Sequence, residues 1–351
     1  MPVDLSSLAT AQRVLFEIPL VPLQGHRFQP TGFPSLGAAT FQTKDGLCLL
    51  VESAQSMGNW LELTVWDKDK HDVKEELKGI SHVKIMRNSM GKGGTEKQNQ
   101  VLLTDTILES HRLGSPYLLE ESSKEFFNKL KGDLGGLETG PIDRKKLAEV
   151  LLKYDVGSLL HGIFLAKKGL AGGRLRVARA LSAFIEADGV QVAASGGVKN
   201  DHVNPSGETR SGFGNVPFAR DEFTAEHITL YVSVDIAQIR GYGLGDDVEQ
   251  LLILLALYKL RALLDGNLRL RTACDFKVGV AGDIVAKSPA GFSLPKLIDL
   301  VVELKGSVAR CKTRMSVTEA FFNDEFKNGK EEIIETASDG NTDNGDTDVR
   351  G

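Results

Sequence analysis

Cysteine is scarce in this sequence. Cys48, Cys274 and Cys311 are the only three in 351 residues, and they form no CxxC pair. That spacing excludes a disulfide framework and a cysteine-based zinc site, and it fits a reducing cytoplasm. The opening MPVDLSSLAT has neither the basic nor the apolar region of a signal peptide, so no export is expected. Long hydrophobic runs are as rare. The one stretch of note, Leu251–Leu264, is too short to span a bilayer and carries Lys259 and Arg261, so a buried helix is expected and a membrane partner is not. The signatures of catalysis are missing too. There is no GxxxxGK[ST], no GxGxxG after a strand and no GxSxG elbow, and the seven histidines form no H-x-H or HExxH pair. No cofactor, no metal and no enzymatic activity are expected, and there is no internal repeat.

What is present is an uneven distribution of charge. The formal net charge is -5, but Asn323–Gly351 holds nine acidic and three basic residues, a net of -6, which leaves the preceding residues near +1. Residues 323–351 read as a polar, acidic, disordered tail. Within the body, residues 162–220 carry a net +4 and residues 84–97 a net +3. Basic loops on a neutral body suit a polyanion, because local potential governs binding more than the isoelectric point does.

The hydrophobic pattern predicts an α+β fold. Arg13–Leu23 reads as a first strand whose two prolines place its end at an edge or exit. Gly46–Val51 is a short buried strand or a helix entry, with Ser53 as N-cap of the helix that follows. Residues 67–100 are polar and loop-like, ending in a basic GKGG loop at Gly91–Gly94. Helices are expected over Val101–Leu113 and Asp143–Lys153, then an apolar element, a glycine turn at Gly169–Gly173, and an element bearing arginines. Ile228, Leu230, Val232, Val234 and Ile236 alternate with polar residues, which is the period of a half-buried strand. Val248–Leu264 is the buried helix, and Asn267–Val278 alternates again with Arg269, Arg271 and Lys277 facing out. This order is a βαβ-type arrangement compatible with a ferredoxin-like sheet, a fold in which one sheet face often meets RNA. Between the last two such elements and the arginines lies Ser195–Phe218, SGGVKNDHVNPSGETRSGFGNVPF, which reads as a long glycine-rich loop.

Several stretches are candidates for binding. LAGGRLRVAR (Leu170–Arg179) places glycines before Arg174, Arg176 and Arg179, so backbone N–H groups and guanidinium forks can approach phosphates; a solvated arginine face on an ordinary turn is the plain alternative. ESAQSMGNW (Glu52–Trp60) clusters Ser53, Gln55 and Ser56 at a helix start, where unpaired N–H groups favour a phosphate, though simple N-capping by Ser53 explains it equally. Phe28 and Phe213 sit in Gly/Pro loops, placed either to stack on a base or to pin the loop. Asp201-His202 admits a general base or metal site, plain turn chemistry, or contact with an anion.

RFQPTGFPSLGAA, LLVESAQSMGNWLE, DTILESHRLGSPYLL, LLHGIFLAKKGLAGGRLRVARALSAFIEADGV, SGGVKNDHVNP, GFGNVPFARDEF and LRLRTACDF together resemble the crRNA-binding backbone subunit of type I-U (I-G) CRISPR interference complexes, a branch of the RAMP superfamily. The resemblance runs from about residue 10 to 320. It implies an RRM-like palm over residues 1–322, with insertions at about 65–100 and 155–222 forming thumb and finger loops. It implies copies stacked along one guide RNA in a helical filament, with target DNA read through the guide and other Cascade subunits as partners. It implies a phosphate-holding motif at the first helix, here Ser53–Ser56 with Ala54 where many relatives have Ser. On this reading Ser53, Gln55, Ser56, Asn59, Arg174, Arg176 and Arg179 grip the guide, and Arg27, Phe28, Lys199, Asn200 and His202 complete the groove. Related type III subunits cut target RNA with a loop aspartate, and Asp201 with His202 keeps a metal-dependent ribonuclease as the alternative.

Overall fold

The computed structural model describes residues 3–33, 37–89, 99–266 and 268–325; the GKGG loop and the acidic residues beyond 325 lie outside them. Its centre is a curved antiparallel sheet of seven strands: β1 (Arg13–Pro22), β2 (Thr40–Thr43), β3 (Gly46–Glu52), β4 (Leu181–Asp188), β5 (His227–Asp235), β6 (Leu268–Arg271) and β7 (Cys274–Val278). They stand in the order β6-β7-β1-β5-β4-β3-β2. Period-two alternation fixes the register. Val14, Phe16, Ile18 and Leu20 of β1 and Ile228, Leu230, Val232 and Val234 of β5 are buried, with Phe16 opposite Val232 and Ile185 of β4 opposite Leu230. A one-residue slip would turn all of these to the other face.

β1 lies between β7 and β5, and its pairing with β5 ends at Leu20, so Val21 and Pro22 pair with β7 alone as the strand exits. The Pro19 carbonyl accepts the Gly279 N–H at 2.8 Å, just beyond the end of β7. Pro19's missing donor therefore faces that side, and the ladder to β5 loses nothing.

Three helices form the adjoining layer, α1 (Ala54–Leu63) against β4, α2 (Asp246–Asp265) against α1, and α3 (Leu297–Cys311) against α2. Helix α2 buries nearly its whole circumference, including Leu251, Leu252, Leu254, Leu255 and Leu257, as its apolar sequence requires. Helix α3 buries the stripe Leu300, Leu304, Ser307, Val308 and Cys311 at helical spacing.

Four expectations are corrected, the last only in part. Residues 82–89 form a strand rather than a loop, paired in parallel with Val317–Phe321 and antiparallel with Asn99–Asp105. The apolar run Val101–Leu103 is thus strand, not helix; its three consecutive apolar residues carry no period, and long-range pairing decides. Residues 268–278 are not one strand but the hairpin β6–β7, turned at Ala273 in a left-handed conformation (φ 57°). Ser195–Phe218 is loop only over residues 200–215; its two ends belong to strands Gln191–Lys199 and Val216–Thr224, a nine-pair antiparallel ribbon that continues β4 and β5 outward. Gly189, left-handed where the ribbon leaves the sheet (φ 60°), accepts no side chain, since a Cβ there would meet Glu226 at 2.5 Å.

Beneath α1 lies a buried charged group. Arg112 pairs with Glu62 and donates to the Gly162 carbonyl at 3.3 Å, with Asp155 and Lys259 also buried nearby. Burial pushes the Lys259 ammonium down to about 8, against the pull of Glu62. The unfolded chain holds that proton up to the ordinary lysine value of 10.5, so it binds more protons than the native state between these limits. Stability should therefore rise with pH across that window and be level below about 8, where both states hold the proton. Denaturant titrations at pH 7.5 and 9.5 should show this rise in the wild type and a smaller one in Lys259→Met. An equal rise in both would reassign it.

Candidate functional site

The site is built around a carboxylate. Glu52, the last residue of β3, is only 1% exposed. It accepts from the Ser56 hydroxyl and from Trp60 Nε1 at 3.4 Å, and its second oxygen pairs with Arg271. Arg271 also donates to the Gln29 carbonyl at 3.1 Å and lies 3.4 Å from the Val51 carbonyl. One guanidinium from the β6–β7 hairpin thus joins the β3–α1 junction to the loop after β1.

That loop is fastened on its other side to the root of the ribbon. Phe28 and Phe223 exchange two backbone hydrogen bonds, both 2.9 Å, and Gln29 N–H donates to Ala273 at 2.7 Å. Arg27 lies 3.5 Å from Glu222, which also holds Arg220. Two open cavities flank these contacts. One of about 430 Å³ is lined by Gln29, Thr31, Arg220 and Arg271 among others; the second, about 630 Å³, by His26, Arg27, Glu222 and Arg269.

At the start of α1, Ser53 is the N-cap, its hydroxyl accepting the Ser56 N–H at 3.3 Å. The first N–H groups of the helix, those of Ala54 and Gln55, have no intrahelical acceptor. Gln55 and Asn59, one turn apart, are both exposed, and Arg179 donates to the Ala54 carbonyl at 3.0 Å. Arg179 therefore sits on the first turn of α1, so the structure brings together two stretches 125 residues apart in sequence. Two exposed amides, helix N–H groups and a guanidinium can hold an anion there without reading a base.

Other expected site residues are placed differently. Phe28 is 1% exposed and packs edge-on against Phe276 at 5.6 Å, so it pins its loop and offers no face for stacking. The Ser56 hydroxyl is taken by Glu52. Arg174 donates to the Leu137 and Gly140 carbonyls at 2.8 and 3.0 Å, while Arg176 lies 4.8 Å over the Phe164 ring. Both line a third cavity of about 910 Å³ with Arg144, Gln238 and Tyr242. Arg271, read from alternation as facing out, turns in to Glu52 instead. Lys199, Asn200 and His202 are exposed at the far end of the ribbon, and Phe213 there is 56% exposed.

Asp201 is a loop organiser. One carboxylate oxygen accepts the Val203 and Asn204 N–H groups at 2.9 Å, and the other accepts Gly214 N–H at 2.8 Å. These bonds, Asn204's first, hold its carboxyl below the usual range. Among the described residues no three His, Cys, Asp or Glu side chains gather as metal ligands, and no helix is long and apolar enough to cross a membrane.

Residues that the sequence did not single out are Glu52 as buried anchor, Glu222 as the ribbon's root, and Phe164. Only the last left a local signal, as the outward residue of Ile163–Leu165 between two buried neighbours.

Residues 14–192, slightly more than half of the chain, match the model of a family described as CRISPR-associated protein GSU0053 (Cas_GSU0053). No curated protein matches the chain in sequence. Among solved structures, a chain of a CRISPR RNA-guided surveillance complex, pre-nicking, aligns with TM-score 0.34 and 14% identity, covering 72% of this chain and 70% of that one. The crystal structure of Thermofilum pendens Csc2 aligns with TM-score 0.31 and 8% identity, covering 90% and 80%. At these scores neither alignment carries a residue-level argument.

Asp201→Ala should speed amide exchange at Val203, Asn204 and Gly214 while leaving the thermal midpoint within about a degree, because surface changes of this kind cost little globally. Unchanged exchange at all three amides would contradict the organising role.

Proposed function

The chain belongs to the CRISPR-associated GSU0053 family, and on that premise we propose that it is a non-catalytic structural subunit that holds the backbone of a guide RNA. The observation that carries this reading is the anion-holding turn at the start of α1, where Gln55, Asn59, two helix N–H groups and Arg179 converge beside the sheet. A phosphate there would be gripped by groups that carry no sequence information, which leaves the reading of target DNA to base pairing.

The strand order β7-β1-β5-β4, with α1 between β1 and β4 in sequence and α2 between β5 and β7, supports a ferredoxin-like palm. The ribbon Gln191–Thr224 is the thumb on this reading. It is exposed on both faces over most of its length, with Val192, Val198, Phe213 and Phe218 between 44% and 58% exposed and Lys199 near its tip. A ribbon with no core face of its own suits a surface completed by RNA and by the next copy in a filament. Arg27, Lys199, Asn200 and His202 extend the grip from the ribbon's root to its tip. The palm and its insertions form one unit through residue 322, and the complex is cytoplasmic with other Cascade subunits at its ends.

What supports the non-catalytic reading is Asp201, whose carboxylate oxygens accept three backbone N–H groups and so have a structural task in their own loop. In filter binding, affinity for single-stranded RNA should fall steeply with salt, by roughly 0.7 log units per phosphate contact for each log unit of salt. Arg179→Ala should weaken binding about equally for unrelated RNA sequences and lower that slope by about one contact. A sequence-dependent loss would sink the phosphate assignment. Incubation with labelled RNA and Mg²⁺ or Mn²⁺ should leave the RNA intact; cleavage lost in Asp201→Ala would make the protein a ribonuclease.

A further inference from the structure

A short ribbon, Ile163–Leu165 paired with Leu175–Val177, stands between two clefts. Alternation sends Ile163, Leu165 and Leu175 into the core and leaves the cross-strand partners Phe164 and Arg176 facing out. The Phe164 ring is 49% exposed, and the Arg176 guanidinium lies 4.8 Å from its centroid. Phe164 lines a cavity of about 470 Å³ with Ser110, His111, Arg112 and Lys167, and Arg176 lines the cleft of about 910 Å³ on the other side. The ribbon is held firmly. Leu165, Leu170 and Leu175 are at most 1% exposed, and its tip closes through three consecutive left-handed residues, Ala171, Gly172 and Gly173. Lys167, paired with Glu120, adds a cation at the rim of the Phe164 cavity.

A solvated aromatic ring on a rigid strand, extended by a planar cation and flanked by basic side chains, is the arrangement that stacks flat π-systems. We infer that Phe164, with Arg176, is a stacking platform for a nucleobase of a single-stranded nucleic acid. This rests on the guide-holding reading and adds a base contact to a backbone grip. Every base has a π-face, so the platform tolerates any sequence. It also gives Arg176 a role distinct from that of Arg179, since its guanidinium plane is spent on the ring and the base rather than on a phosphate fork. The base comes either from the guide or from the target strand, and the two sources are separable.

The test uses the full chain and oligouridylate carrying one 2-aminopurine at successive positions, since uridines stack poorly on the probe. A second arm places the probe in a complementary DNA strand added to the RNA-loaded protein. Wild type should quench the probe at a defined position, in the RNA arm if the guide supplies the base and in the DNA arm if the target does. Phe164→Leu, which keeps apolar volume without a π-face, should abolish that quenching and weaken binding about tenfold, whereas Phe164→Trp should retain both. RNA retained by wild type with no position-specific quenching in either arm, or quenching unchanged in Phe164→Leu, would overturn the platform and leave the guide-holding reading standing. Failure of the wild type to retain RNA at all would overturn both.

Discussion

The Glu52 carboxylate is out of water, and everything around the candidate site follows from what neutralises it. An unpaired ion at 1% exposure would cost several kcal/mol, so the Arg271 guanidinium must reach it. Reaching it draws the β6–β7 hairpin over the β3–α1 junction, and the same guanidinium then holds the Gln29 carbonyl. The first turn of α1, the loop after β1 and the edge hairpin are positioned together by one ion pair. Removing Arg271 would strand a buried carboxylate and loosen three segments at once. Replacing both by apolar groups of similar shape would cost far less, which marks the pair as a device for position more than for stability.

Arginine does two jobs in this chain, and the count of cations conflates them. Arg174 holds the Leu137 and Gly140 carbonyls, Arg240 holds those of Leu8 and Ala11, and Arg314 that of Leu244. These guanidinium forks satisfy backbone acceptors that no helix or strand reaches. Arg179 also holds a carbonyl, but it does so at a helix start, where its remaining donors stand beside unpaired N–H groups. A net +4 over residues 162–220 therefore overstates the number of side chains offered to a polyanion. The positions are more informative than the sum.

The parts legible from sequence were those with a strong local period. Strands β1 and β5, the buried helix α2 and the Ser53 cap each carry their signal within a few residues, and each lies where that signal puts it. The strand His82–Ser89 was hidden because its partners, Val317–Phe321 and Asn99–Asp105, supply what its own polar sequence does not. The Gln191–Thr224 ribbon was hidden for the opposite reason. With neither face in the core, it has no apolar alternation to display, and its glycines read as loop. At the site, cation and amide positions were visible, but which of them were already committed to carbonyls, to Glu52 or to Glu222 depended on contacts with no local pattern, such as that of Arg179 with Ala54 across 125 residues. Phe28 shows the limit plainly: its Gly/Pro context left open whether it stacks on a base or pins its loop, and its burial against Phe276 decides for the pin.

The parallel pairing of Val317–Phe321 with His82–Ser89 also orders events in time. The strand-end contact between Asn88 and Asn323 closes a loop of 235 residues, so the early strand has its parallel neighbour only when nearly all of the chain has been made. Until then His82–Ser89 has only Asn99–Asp105 beside it, and its other edge is an open template for a stray strand. During synthesis the central sheet can close through β7 while this smaller sheet waits. Val317–Phe321, the last strand among the described residues, is thus also a safeguard against pairing with the wrong chain.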